Sequence, residues 1–324
     1  VSYNTADWKA WKPDDGDARA AQTAATTFLE GVRMWQMLWS WARRKAPGWC
    51  KRPPLILVNG LAEQSESWYR NRWYWERYFD VKVPEILVYG GQQLQRRIAQ
   101  GLPIDVPYLT EALEEYLDRF VQRPPYFFVA SSLGCQVVVE YAVRRPDQVA
   151  RMVLLCPSGF GDEERLPVVE GVRHHDMEGL LKSIFHDPAH VDAQMLAHLR
   201  LQMQERSWKK ALLRTVRGTA EHSVRDKLPQ VRCPTLVICG KEDRIVDPIE
   251  IRQAVQGLPQ FKYLALARCG HAPQIERYRQ VNRLVRAFLT VPETQSQRRP
   301  LAPQACEEPV PVGQAETGTD HGSS

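Results

Sequence analysis

The chain has 324 residues, 44% hydrophobic and 25% charged, proportions ordinary for a globular protein with a sizeable core. Its 43 Lys and Arg against 38 Asp and Glu leave a formal net charge of +5, too mild to imply nucleic-acid binding. No run is apolar for long enough to span a bilayer, and the polar first twenty residues lack the apolar stretch of a secretory leader, so none is expected.

The seven cysteines are Cys50, Cys135, Cys156, Cys233, Cys239, Cys269 and Cys306, an odd number with no CxxC pair. Cys156, Cys239 and Cys269 sit in or at the ends of apolar runs, where free thiols pack as small hydrophobes. This usage points to a reducing, cytoplasmic setting rather than to a disulfide framework or a zinc site.

Residues 1–50 show no strand pattern and are expected to form a helical N-terminal extension, with one or two helices between Ala18 and Lys45 and a stop at Pro47-Gly48. Residues 31–52 carry Arg33, Arg43, Arg44, Lys45, Lys51 and Arg52 with no acidic residue. Met34, Leu38 and Trp41 fall at i, i+4 and i+7 and share one helical face. Such a face suits either packing on the core described below or peripheral contact with a membrane, where rings sit at headgroup depth. Packing on the core is the preferred expectation, because so many exposed tryptophans would promote association.

From Pro54 onward short apolar runs alternate with longer amphipathic ones. Six strands are predicted: "LILVNG" (55–60), "EILVYG" (85–90), "YFFVAS" (126–131), "RMVLLCP" (151–157), "TLVICG" (235–240) and "YLALAR" (263–268). Helical stretches are expected around 66–79, 108–121, 133–145, 248–256 and 275–289. Alternation of this kind implies an α/β fold with a mostly parallel, doubly wound sheet. Some eighty residues between the fourth and fifth strands show helical periodicity instead, notably Val191, Met195, Leu196, Leu199 and Met203. They are read as a helical lid insertion, 162–228, because they leave from the end of a strand where open α/β sheets bind ligands. The core then comprises 51–161 and 229–290, and the Pro-, Gln- and Gly-rich stretch 291–324 is expected to be a disordered tail.

The stretch "FFVASSLGC" (127–135) ends an apolar run on two serines. A serine becomes a nucleophile when a sharp strand-to-helix turn presents it to a base, and the residues two before and two after must be small to avoid collision. Around Ser132 the flankers are Ala130 and Gly134, both small; around Ser131 they are Val129 and Leu133, both bulky. Ser132 therefore fits the turn. As a competing reading, a lone serine here could simply cap the following helix.

Four segments in this order resemble successive landmarks of the α/β-hydrolase superfamily, in its lidded esterase and carbon–carbon hydrolase branches: "PPLILVNGLAEQSESW", "YFFVASSLGCQVVVEYAVRRPDQVARMVLLCPSG", "PTLVICGKEDRIVDP" and "CGHAPQIERYRQVNRLVRAFL". The likeness covers about 53–161 and 229–290. Its order of serine, acid and histidine implies a histidine after the last strand. Six histidines fall in the insertion and His321 in the tail, which leaves His271 of "RCGHAP". Asp243 in "GKED" matches the acid position, whereas Asp247, just before Pro248, suits a helix N-cap. The resemblance also implies oxyanion-binding amides at Leu61 and Leu133. Two departures stand out: Asn59-Gly60 replaces the usual His-Gly, and the usual first antiparallel strands are absent, so about six strands are expected.

The expected function is hydrolysis of an apolar carboxylic ester through an acyl-enzyme, with no cofactor and no metal. The same three residues could instead cleave a carbon–carbon bond or an amide, and a non-catalytic binding module is the alternative from a different class.

Overall fold

In the computed structural model, residues 52–63, 65–161, 176–191, 193–220 and 222–291 are described. The predicted N-terminal extension, the tail beyond Val291, and the start of the insertion at 162–175 lie outside the described residues.

Six short apolar segments form one all-parallel sheet: β1 (Pro54–Val58), β2 (Asp80–Lys82), β3 (Tyr126–Ser131), β4 (Val149–Leu155), β5 (Thr235–Gly240) and β6 (Phe261–Leu266). Their order is β2-β1-β3-β4-β5-β6. Successive side chains of a strand point to opposite faces, and here both faces are covered. Ile56, Val58, Phe128, Ala130, Met152, Leu154 and Val237 enter one core, while Leu55, Leu57, Val129, Val153, Leu155, Leu236 and Ile238 enter the other. That is why the strands read as unbroken apolar runs. The chain winds from β1 outward to β2 and then crosses to β3 on the other side. The loops after β1 and β3 therefore part at a switch point, the place where open sheets form ligand sites.

The strand expected at 85–90 is not one. Asp80–Lys82 takes its place at the edge, in register Pro54↔Asp80, Leu55↔Val81 and Ile56↔Lys82. Pro84 lacks the N–H that a ladder needs and disfavours continuation. Beyond it the apolar run Ile86, Leu87 and Tyr89 turns inward to line a cavity rather than a ladder. The true strand escaped notice because it is three residues long and two are charged. Its Asp80 is buried and pairs with Arg123 and, at 2.9 Å, with Lys82.

The helices are α1 (Tyr69–Trp75), α2 (Gln92–Ala99), α3 (Val106–Phe120), α4 (Leu133–Arg144), α5 (Met177–Ile184), α6 (Ala193–Gln204), α7 (Arg206–Thr219), α8 (Pro248–Val255), α9 (Pro273–Glu276) and α10 (Tyr278–Thr290). Helix α2 was not expected: its sequence QQLQRRIA offers only Leu94 and Ile98 for burial, too few to register as a period. Helices α1 and α10 cover one face and are tied by Asn71 Nδ2 donating to Asn282 Oδ1 (2.8 Å) and Asn282 Nδ2 donating to Arg70 O (2.9 Å). Helices α3, α4 and α8 cover the other face. Helix α4 is buried from Leu133 to Ala142 and stands against β1 and β3.

Helix α4 leaves β3 so close to β1 that a Cβ on Gly134 would lie 2.6 Å from both Val58 O and Asn59 O. Gly134→Ala should therefore destabilise by about 1–3 kcal/mol or more through overpacking, seen as a melting temperature lower by several degrees. Asp247 caps α8 by accepting Ile249 N–H at 2.7 Å. Asp247→Ala should cost about 1 kcal/mol of stability and leave the geometry around His271 intact. A thermal melt of each variant checks both statements.

Candidate active site

The turn between β3 and α4 places the two serines differently. Ser132 has φ 49° and ψ −119°, a left-handed backbone that a residue with a Cβ rarely adopts. Strain of this kind costs about 1–3 kcal/mol and persists only where surroundings enforce it. Here Ser132 N–H donates to Leu155 O at 3.0 Å, carrying the ladder one residue past β3. Ser132 remains partly exposed, whereas Ser131 is fully buried. Ala62, Cys156 and Arg268, which follow the C-terminal ends of β1, β4 and β6, also have positive φ, as does Gln122 in the turn before β3.

The structure brings Asp243 and His271 together: Nδ1 lies 2.9 Å from Oδ2. Their loops can touch because Gly240 ends β5 without a side chain, where a Cβ would collide with Cys269 O and Gly270 O. Glu242 N–H then donates to Cys269 O (3.1 Å), and Cys269 N–H returns to Glu242 Oε2 (2.9 Å). The other oxygen of Asp243 accepts the amides of Ile245 (2.8 Å) and Val246 (3.2 Å). Burial works against the Asp243 charge, but His271 and those amides outweigh it and hold the carboxyl below its ordinary value. Asp247, the competing aspartate, is occupied as the cap of α8.

The His271 loop is also fastened to the inserted helices. His271 N–H donates to Ile184 O at 2.7 Å, and Glu276 accepts Gly270 N–H (2.7 Å) and His186 N–H (2.9 Å). Phe185 packs beside Ala272 and Ile275.

After β1, Asn59 Oδ1 accepts the indole N–H of the buried Trp68. The residue that departs from the family's usual histidine thus has an architectural partner. Ala62 N–H donates to Tyr89 Oη at 3.1 Å and Gly60 N–H to Glu63 Oε2 at 2.8 Å. Among the described residues, neither the Leu61 amide nor the Leu133 amide at the first turn of α4 has a hydrogen-bond acceptor.

A cavity of about 170 Å³ opens beside Gly60 and Leu133. Ile86, Leu87, Leu109, Val137 and Trp208 supply apolar wall, and Glu63, Glu66 and Glu85 bring three carboxyl groups. Among the described residues, no Lys, Arg or His lines it. Of the insertion's large apolar residues, Trp208 lines the cavity, while Phe185 and Leu181 are buried in packing and the side chains of Met177 and Met195 lie outside the described residues. Sequence reasoning missed Glu63, Tyr89 and Gln274. No local period marks them; they meet the site only through contacts with other strand ends.

Cys156, Asp243 and His271 form a cluster with ligating atoms within 4.8 Å of one another. Burial pushes the Cys156 thiol well up, away from the thiolate that a metal would require, and Asp243 and His271 already bond each other.

The profile of the Alpha/beta hydrolase family matches residues 55–284, more than half of the chain. Monoacylglycerol lipase abhd6-B of Xenopus laevis is 25% identical over 191 residues, 52% of this chain. The chain spans only 56% of that relative's length. Human monoacylglycerol lipase ABHD6 is 22% identical over 267 residues, 76% of this chain and 77% of the relative. Among solved structures, 2-hydroxy-6-oxo-6-phenylhexa-2,4-dienoate hydrolase from Rhodococcus sp. strain RHA1 superposes with a TM-score of 0.63 at 17% identity, covering 74% of this chain and 92% of the other. At that identity the match speaks for the fold alone. With the all-parallel sheet, the strained turn after β3 and the matched profile together, the chain belongs to the α/β hydrolase family.

Proposed function

We propose that this chain is a serine hydrolase that cleaves an uncharged carboxylic ester through an acyl-enzyme. The observation that carries the reading is the 2.9 Å contact of Asp243 with His271 Nδ1. A proton held on Nδ1 by a carboxylate leaves the Nε2 lone pair available as a base, which is what an unactivated serine hydroxyl needs. Ser132 Oγ attacks the ester carbonyl as its proton passes to Nε2, and the oxyanion is held by the Leu61 and Leu133 amides. The imidazolium then protonates the departing alcohol. Water, deprotonated by the same Nε2, attacks the acyl-enzyme; the acid leaves and Oγ regains its proton.

The helices between 176 and 219 act in this reading as a lid, with Gln202 and Trp208 on the cavity side. The carboxyl groups on the cavity wall favour an ester over a carbon–carbon substrate such as the dienoate named for the Rhodococcus enzyme. Such a substrate is an anion, and among the described residues the wall offers it acidic groups and no basic side chain.

Ser132→Ala should abolish turnover by several orders of magnitude with the fold retained, and should lose labelling by a serine-directed phosphonate probe. Ser131→Ala should still be labelled; a dead, unlabelled Ser131→Ala beside an active Ser132→Ala would move the nucleophile. Asp243→Asn should lower kcat by roughly 10³- to 10⁴-fold at nearly unchanged melting temperature, by leaving the ring in the wrong tautomer. In a panel of esters matched in length, neutral acyl chains should exceed carboxylate-bearing ones by about tenfold or more in kcat/KM. Faster cleavage of a dienoate diketone than of any ester would reverse the assignment of reaction.

A further inference from the structure

The second serine of the pair, unused by the chemistry above, belongs to a network centred on Glu63. Glu63 Oε2 accepts Gly60 N–H at 2.8 Å, and Oε1 accepts the Ser131 hydroxyl at 3.0 Å and Gln274 Nε2–H at 3.2 Å. Gln274 Nε2 also reaches Ser131 Oγ at 3.4 Å. Ser131 and Gln274 are fully buried. The three donors come from segments that follow or end three different strands, and each adjoins a residue of the proposed chemistry. Gly60 precedes Leu61, Ser131 precedes Ser132, and Gln274 lies one turn beyond His271 on α9.

A carboxylate accepts on several lone pairs, and charge-assisted bonds are stronger than neutral ones. One side chain can thus hold three backbone segments in register, where a displacement of an ångström would cost large factors in rate. We propose that Glu63, with Ser131 and Gln274, is a positioning residue that fixes the Leu61 amide, Ser132 and His271 relative to one another. This rests on the serine-hydrolase reading of Ser132 and His271.

The charge of Glu63 bears on the histidine as well. Burial pushes its carboxyl up, and the donors from Gly60 and Ser131, the charge of His271 and the Gln274 amide pull it back only in part. The other titratable groups around it are the Tyr89 phenol and the Cys135 thiol, both pushed up chiefly by burial and hence neutral near pH 7. Asp243 bonds the imidazole directly, and Glu66 and Glu85 line the same cavity. In its ionised form Glu63 favours the imidazolium, so replacing it by Gln should keep the base neutral to lower pH.

Glu63→Gln is the test, with Ser131→Ala and Gln274→Met beside it. For Glu63→Gln, kcat toward a neutral ester should fall about tenfold or more with little change in KM. The acid limb of its kcat/KM profile should move to lower pH. Ser131→Ala and Gln274→Met keep the carboxylate, so each should lose several-fold in kcat with the acid limb unmoved. If Glu63→Gln does not fold, those two variants decide alone: unchanged kcat in both overturns the proposal. An unmoved acid limb in a folded, phosphonate-labelled Glu63→Gln with wild-type kcat overturns it too, while leaving the serine-hydrolase reading intact. Wild-type protein that takes no phosphonate label at all would instead sink the underlying reading.

Discussion

The backbone crossing between the end of β1 and the first turn of α4 is the contact on which the site depends. Ser132 stands in a left-handed conformation that no residue with a side chain favours, and α4 leaves the sheet with Gly134 pressed against Val58 O and Asn59 O. The strain is offset by what it allows. Ser132 N–H extends the ladder to Leu155 O, and α4 buries nearly its whole length between the sheet and its neighbours. Any side chain at 134 would push α4 away, opening the core on that face and displacing the turn that carries Ser132 in the same movement.

A second close approach, at the other end of the sheet, completes the geometry. Gly240 lets the loops after β5 and β6 pack backbone to backbone, and this contact, with the Ile245 and Val246 amides on the other oxygen, puts the Asp243 carboxylate on His271. The inserted segment shares in the arrangement. Ile184 O takes the His271 amide, and Glu276 bridges the loop to His186 and Asp187. The helices on the cavity side are thus continuous with the segment that seats the imidazole.

Relatives of this chain share its fold at 17–25% identity while carrying names as different as lipase and dienoate hydrolase. Divergence of that size leaves the strand ends in place and changes the walls. In this chain the cavity beside Gly60 and Leu133 is lined by apolar side chains together with Glu63, Glu66 and Glu85.

What the sequence by itself determined was whatever short-range sterics and periodicity dictate. Continuous apolar runs bounded by helical stretches are what strands covered on both faces must look like, and five of the six strands were legible for that reason. Small residues two before and two after Ser132 mark a tight turn wherever it is met, and Asp-Pro at 247–248 marks a helix start. The edge strand was not legible, because three residues including a buried, paired Asp80 carry no period, whereas the apolar run 86–89 looked like a strand and lines a cavity instead. Nor were Glu63 and Gln274, which lie 211 positions apart and bond each other only because β1 and β6 end on the same edge of the sheet. Contacts of that kind are properties of where the strands stand relative to one another. Local sequence does not encode them, and only the tertiary structure decided them.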